Sequence, residues 1–324
     1  MESINKFTRS VAQNLTPWAL YKHWISPPQA SNLKCEDKSV LITGGTAGIG
    51  KETVKIIAEN GCRDITMLSR NGEKANVVLS DLEKLYGKNG PNTNYKFQKL
   101  DLSSIENCKK VGAEMANKKF DVVIANAGWF PKNKNLTDEG YESCFAINHL
   151  GHYTLVLTLL NNLKKNGFDL PRRIVILSST AHLRSTKILQ DYNYEKTPWD
   201  FKDAYSNAKF CNQLFARLLS EKLQVSGETN TLVNSVHPGV VATELFDDIK
   251  VPENFQKILF RKTRDGAQTT VQVGFSEDIG NQTGFYFENC VNSEGNATSF
   301  VKDKKNQEEM WEQAKKITGV DLEI

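Results

Sequence analysis

Val40-Leu41-Ile42-Thr43-Gly44-Gly45-Thr46-Ala47-Gly48-Ile49-Gly50 is an apolar run that breaks into glycines, and a helical apolar pattern resumes over 51–59. A buried strand, a tight turn and a helix start, in that order, build a cradle for phosphate. The glycines allow positive φ and close backbone approach, and the helix N-terminus offers unpaired N–H groups carrying partial positive charge. The spacing Gly44-x3-Gly48-x-Gly50 is a variant of the G-x-G-x-x-G turn that seats a dinucleotide pyrophosphate.

Outward from this turn, strand and helix patterns alternate. Strands are expected at 39–43, 64–68, 96–100, 120–125, 173–177 and 231–236. Helices are expected at 51–60, 73–86, 103–117, 138–165 and 202–225, and beyond Pro238 a helix at 265–275, a short strand at 284–287 and a charged helix at 304–317. Strands joined by helical crossovers predict an α/β fold, a doubly wound parallel sheet of the Rossmann type in a single domain. That domain is expected over 35–290, between an amphipathic extension (1–34) and a C-terminal tail with a helix (291–324). In the extension, Ile4, Phe7, Val11, Trp18, Tyr21 and Ile25 recur at helical spacing. This face either straps onto the domain or rests on a membrane surface.

With 324 residues and 39% hydrophobic content the chain can bury a large core. Its 41 basic and 38 acidic residues are interspersed and the net charge is only +3, which argues against a nucleic-acid partner. The six cysteines are scattered without metal-ligand spacing and read as reduced thiols, so a cytoplasmic location is expected, with a peripheral contact to an intracellular membrane as its variant. No run approaches the ~18 apolar residues that span a bilayer. His149 and His152, at i and i+3 without a third ligand, read as helix packing, and no metal is expected.

Chemistry enters with Tyr205-Ser206-Asn207-Ala208-Lys209, which sets a phenol and an ammonium at i and i+4 on one helix face. Ionising a tyrosine at pH 7 costs about 4 kcal/mol unaided, and a nearby cation lowers that cost. The buried-strand pattern Ile174-Val175-Ile176-Leu177 delivers Ser178-Ser179 at its carboxyl end, the edge where open α/β sheets bind ligands. A serine hydroxyl there can hold a substrate oxygen while Tyr205 transfers a proton. Asn126-Ala127-Gly128 and Pro238-Gly239 follow two other strands to the same edge.

Together, the turn Thr43 to Gly50, Asn126-Ala127-Gly128, Asn148, Ser179, Tyr205-x-x-x-Lys209 and Pro238-Gly239-x-x-x-Thr243 resemble the short-chain dehydrogenase/reductase family. Ile147-Asn148-His149-Leu150-Gly151-His152, Ser178-Ser179-Thr180-Ala181-His182 and Ser235-Val236-His237-Pro238-Gly239 resemble its retinol dehydrogenase branch. The resemblance implies Tyr205 as acid/base and Lys209 as its electrostatic partner and ribose ligand. It implies Ser179, the second serine of the pair, as the group that polarises a carbonyl, and Asn148 as the holder of a water in a proton relay to Lys209. Cofactor contacts are implied for Gly44, Thr46, Gly48, Ile49, Gly50, Asn126, Ala127, Gly128, Pro238 and Gly239, for Asp101 on the adenine and for Thr243 on the nicotinamide carboxamide. It also implies pairing of two copies through their long helices, as a homodimer.

Some 25 residues beyond Gly44, where an NAD-preferring member places an acid, this chain reads Leu68-Ser69-Arg70-Asn71. Arg70 suits a 2′-phosphate through charge-assisted contacts, so the expected cofactor is NADP. The expected function is an NADP(H)-dependent oxidoreductase that interconverts an alcohol and its aldehyde or ketone on a lipophilic substrate of retinoid, steroid or isoprenoid type. The competing reading is a cofactor-binding scaffold or redox sensor. Trp129, Phe130, Trp199, Phe201 and Phe246 are candidate substrate contacts or core residues, and the stretches 180–204 and 244–264 are expected to close over the substrate.

Overall fold

The central strands of the sheet, 39–43, 122–125 and 173–177, are mostly apolar because they are buried on both faces. The computed structural model describes residues 27–86, 93–241 and 261–324. β1 (Ser39–Thr43) leads through α1 (Gly48–Glu59) to β2 (Asp64–Ser69), and α2 (Gly72–Tyr86) to β3 (Asn94–Lys99). α3 (Ile105–Met115) returns to β4 (Val122–Ala125). A helical turn (Ser143–Phe145), a π-helical turn (Ala146–Leu150) and α4 (Gly151–Lys165) lead to β5 (Arg173–Leu177). α5 (Phe201–Val225), β6 (Leu232–His237), α6 (Thr263–Phe275), the hairpin β7 (Tyr286–Glu288) and β8 (Val291–Asn292), and α7 (Lys304–Thr318) complete the chain.

The strand order is β3-β2-β1-β4-β5-β6-β7-β8, parallel throughout except for the last pair. Side-chain alternation divides each strand between two cores. Leu41, Val123, Ala125, Ile174 and Ile176 face a layer made by α3, α4, α5 and α7. Val40, Ile42, Val122, Ile124, Val175 and Leu177 face α1, α2 and α6. The order reverses between β1 and β4, so a crevice opens at their carboxyl ends.

Two boundaries fall elsewhere than the sequence pattern places them. The long helix begins at Ser143 and not at 138, because residues 136–142 form a tight turn with Thr137 donating to the Tyr141 carbonyl. The Glu142 carboxylate then caps the new helix start, accepting from the Cys144 and Phe145 N–H groups at 3.1 and 2.8 Å. The boundary expected at residue 290 falls inside the β7–β8 hairpin.

α7 and the residues after it pack on the larger of the two cores. Trp311 of α7 is 1% exposed and lies edge-on to Tyr153 at 5.3 Å between ring centres. Tyr153 Oη donates to the Val320 carbonyl and Asn161 Nδ2 to that of Asp321, so the chain end runs along α4. α7 thereby packs against α4 and α5 from within the chain. Residues 27–34 strap onto α6, with the Ala30 and Ser31 N–H groups donating to Gln268 and Gln272. The candidate helices before residue 27 lie outside the described residues.

Replacing Trp311 by Ala removes the keystone of the α4–α5–α7 packing. The expected loss is about 3–5 kcal/mol, read from the midpoint of chemical denaturation at unchanged slope.

Candidate active site

Polar residues at or just past the strand ends line the crevice, and several are hydrogen-bonded to neighbouring elements. Thr43 Oγ1, at the end of β1, accepts from the Asn126 and Ala127 N–H groups at 2.9 and 3.0 Å. Its own proton therefore goes to His152 Nε2, 2.9 Å away. Asn126 Nδ2 donates back to the Thr43 carbonyl at 2.9 Å. These bonds fasten β4 to the glycine turn.

In the turn, Gly44 has φ +70° and Gly48 φ +51°, both in the left-handed region. A Cβ on Gly50 would overlap the Gly44 carbonyl, so only glycine lets the helix start fold this tightly against the strand end. α1 begins without a side-chain cap, which leaves its first N–H groups directed at the crevice. A cradle without side chains and an uncapped helix start are the chemistry a pyrophosphate requires, and these residues fit a dinucleotide.

The crevice, about 390 Å³, is lined by Gly44, Thr46, Gly48, Ile49 and Gly50 from the turn and by Asn126, Ala127 and Gly128 after β4. Ser179, Tyr205, Lys209, Pro238 and Gly239 complete the expected residues along its wall, joined by Trp129 and His237. Ser178 and Ser179 have divided their tasks. Ser178 is buried and donates to the Lys209 carbonyl at 2.8 Å, pinning α5 to β5. Ser179 Oγ accepts from the Ala181 N–H at 3.2 Å, and Ser179 lines the crevice together with Tyr205.

Tyr205 and Lys209 share one face of α5, with Nζ 5.5 Å from the centre of the phenol ring. That helix starts at Asp200, whose carboxylate accepts from the Lys202 and Asp203 N–H groups. Lys209 is 3% exposed and rests on the Leu177 carbonyl at 3.2 Å. Burial brings its ammonium down from 10.5 to about 8. Burial also holds the Tyr205 phenol above its ordinary value, with the nearby Cys144 thiol adding to the rise and the Ser179 hydrogen bond opposing it.

Three expected residues sit away from the crevice. Asn148 lies behind the wall, fully buried, with its amide clamped on Trp129: Nδ2 donates to the carbonyl at 2.7 Å and Oδ1 accepts from the N–H at 3.1 Å. Its main-chain carbonyl accepts from His152 Nδ1 and Asn212 Nδ2. Asn148 is thus held on both its amide and its main chain, between Trp129, α4 and α5. Arg70 is exposed just past β2, beside Ser69, whose hydroxyl meets Thr46 Oγ1 at 3.0 Å. Asp101 closes the turn before α3, its carboxylate accepting from the Ser103 N–H and hydroxyl. Thr243 and Phe246 lie outside the described residues.

The family model for short chain dehydrogenase matches residues 38–254. The chain belongs to the short-chain dehydrogenase/reductase family. Retinol dehydrogenase 12 of Mus musculus is 31% identical over 314 residues, 95% of each chain. A protein of Mycobacterium Paratuberculosis, described as putative and uncharacterized, has the same fold with a TM-score of 0.72 at 22% identity, over 91% of this chain and 99% of its own. A short chain dehydrogenase from Shigella flexneri complexed with NADP superposes with a TM-score of 0.59 at 22% identity, over 79% and 98%. Among the described residues, no helix of this dehydrogenase is long and apolar enough to cross a membrane.

Sequence reading passed over two parts of the dehydrogenase's site. The loop between Ser179 and Tyr205 is docked by Glu142, which accepts from Trp199 Nε1 at 3.3 Å, and by Asn193 Oδ1, which takes the Glu142 N–H. Asn212 joins Lys209 on the Leu177 carbonyl. Its signal was the spacing Tyr205, Lys209, Asn212, at i, i+4 and i+7 of one helix face.

Burial keeps three of the dehydrogenase's histidines neutral. It brings His149 from 6.5 down to about 4, and His152 and His237 to about 3. Between pH 6.5 and those values the unfolded chain binds protons that the fold does not. Stability is therefore full above pH 6.5 and falls with acidification, by at most about 1.4 kcal/mol per pH unit for each histidine. Thermal midpoints measured from pH 7.5 to 4.5 should fall below pH 6.5, and His237→Gln should flatten the decline.

Proposed function

We propose that this protein is an NADP(H)-dependent oxidoreductase that interconverts an alcohol with its aldehyde or ketone on a lipophilic substrate of retinoid, steroid or isoprenoid type. The observation that carries this reading is the convergence of Ser179, Tyr205 and Lys209 on the crevice that the glycine cradle also lines. A nicotinamide dinucleotide held in that cradle supplies or takes up the hydride. The Ser179 hydroxyl and the Tyr205 phenol form a two-donor site for charge that develops on the reacting oxygen. Tyr205 gives or takes the proton at Oη. The Lys209 cation, on the same helix face, lowers the cost of the phenolate.

Three further features support the specificity. Arg70, exposed at the end of β2, suits a 2′-phosphate, and a solved relative carries NADP. Phe130 lies edge-on to Tyr205 at 4.9 Å and to Phe201 at 5.2 Å, and Trp129 lines the crevice, so the phenol is approached along an aromatic wall. One relative is named for retinol. The enzyme acts at the cytoplasmic side, with its substrate delivered from solution or from a membrane surface.

Turnover of long-chain aldehydes, retinal and steroid ketones with NADPH tests the reading, and background rates across that panel would overturn it. Tyr205→Phe should cut kcat by about 100-fold or more while leaving NADPH binding, read by fluorescence, within a few-fold of wild type. Arg70→Ala should raise the KM for NADPH by about 10-fold or more and leave that for NADH unchanged.

A further inference from the structure

We propose that Asn212 is a positioning residue for Lys209, holding the carbonyl on which the ammonium rests through a buried hydrogen-bonded network reaching back to the end of β1. The proposal rests on the reading of Tyr205 and Lys209 as the proton-handling pair. Asn212 stands one further turn along the face of α5 that carries both, and it is 1% exposed. Its Nδ2 donates to the Leu177 carbonyl at 2.9 Å and to the Asn148 carbonyl at 3.0 Å. Lys209 Nζ donates to the same Leu177 carbonyl at 3.2 Å.

Hydrogen-bond chemistry assigns every proton in this network. An amide oxygen only accepts, so His149 carries its proton on Nδ1 and donates it to Asn212 Oδ1 at 3.0 Å. That bond fixes which end of the amide faces the two carbonyls. On the Asn148 carbonyl the second donor is His152 Nδ1, whose ring receives the Thr43 proton at Nε2. Thr43 in turn holds the Asn126 and Ala127 N–H groups. Leu177 is the last residue of β5 and the next two residues are Ser178 and Ser179. The amide of Asn212 thus ties together the strand end that delivers Ser179, the π-helical turn and the helix that delivers Tyr205 and Lys209.

The arrangement also constrains how Lys209 can move. Ser178 holds the main chain of Lys209, and the Leu177 carbonyl holds its tip. Gly128 faces the same tip, where a Cβ would stand 3.7 Å from Nζ. The titratable groups around the ammonium are Tyr205 on its own helix, Cys144 and His149 on the segment leading into α4, and His152 in the first turn of α4. With the Asn212 amide removed, the Leu177 carbonyl loses one of its two donors and its fixed position. Lys209 is then free to swing into the crevice, where it is better hydrated.

Two variants test this. Asn212→Leu keeps the volume and removes the donor, whereas His149→Phe keeps the Asn212 amide and removes the proton that orients it. The direct readout is the titration midpoint of the Lys209 ammonium, followed by nitrogen NMR with Lys209→Arg used for assignment. It should rise by about half a pH unit or more in Asn212→Leu, and by a smaller amount in His149→Phe. In carbonyl reduction, kcat should fall about 10- to 100-fold in Asn212→Leu, the KM of the carbonyl substrate should change less, and the pH profile should shift upward with the midpoint.

If Asn212→Leu does not fold, His149→Phe decides alone. Folded variants with lower thermal midpoints but wild-type Lys209 titration and pH profile would make Asn212 merely structural and overturn the proposal. An inactive wild-type protein would instead defeat the proposed function, and the NMR titration would still decide the part played by Asn212.

Discussion

A parallel sheet buried on both faces has no place for polar chemistry except at its strand ends, and this constraint organises the molecule. β1, β4 and β5 carry apolar side chains into two separate cores. Thr43 closes β1, Asn126 follows β4, Ser178 and Ser179 follow β5, and His237 closes β6, all on one edge. Left unpaired, each polar group buried there would cost about 1–3 kcal/mol. Thr43 is therefore bonded to Asn126, Ala127 and His152, and Ser178 to the backbone of α5. The bonds that satisfy these atoms also align the strands, so satisfying the backbone and constructing the crevice are one structural act.

The same burial sets the electrostatics. Lowering Lys209 from 10.5 to about 8 means that the fold disfavours its ammonium by about 3 kcal/mol relative to water. Between pH 8 and 10.5 the unfolded chain holds a proton that the folded one has released, so stability rises with pH across that window, and at neutrality the full penalty applies. A cation kept under such conditions makes little sense as a stabilising device. Beside a phenol that ionises, as the proposed function requires of Tyr205, the low dielectric that penalises each charge alone would strengthen the attraction between them. The anionic groups of a cofactor would offset the cost further.

Periodicity and motif spacing made the parallel layers legible. β1 and β5 occupy the expected residues, 39–43 and 173–177, because an apolar run ending in glycine or serine has few other readings. Tyr205 and Lys209 were legible through helix periodicity, and the glycine turn through its place between strand and helix. What stayed hidden depended on partners distant in sequence. Glu142 looks like an ordinary helical residue until its carboxylate is seen to cap Cys144 and Phe145 and to take the Trp199 indole proton, which moves the helix start to 143. Asn148 reads as a site residue from local sequence, yet its amide is spent on Trp129, 19 residues earlier. Composition does not rank Ser178 and Ser179; the resemblance chose Ser179, and the bond of Ser178 to the Lys209 carbonyl supplies a physical reason for the separation.

The C-terminal helix shows how a feature remote from the crevice enters its construction. α7 reads as a charged tail because its outer face is rich in lysine and glutamate, while Met310, Trp311 and Ala314 form a narrow apolar stripe. That stripe fills the groove beside α4 and α5, and polar residues of the same helix reach the loop that precedes Tyr205. Asn306 Nδ2 donates to the Thr186 carbonyl at 3.3 Å, and Gln313 Nε2 to that of Leu189 at 3.1 Å. The Leu189 N–H in turn donates to Asn207, two residues past Tyr205 on α5. The loop is thus held between the terminal helix and the helix bearing the phenol. Its backbone bonds go to residues more than a hundred positions away as well as to near neighbours. A segment so fastened backs the aromatic pair Phe130 and Phe201, so the packing beside Tyr205 depends on α7 as well as on the residues nearest the phenol.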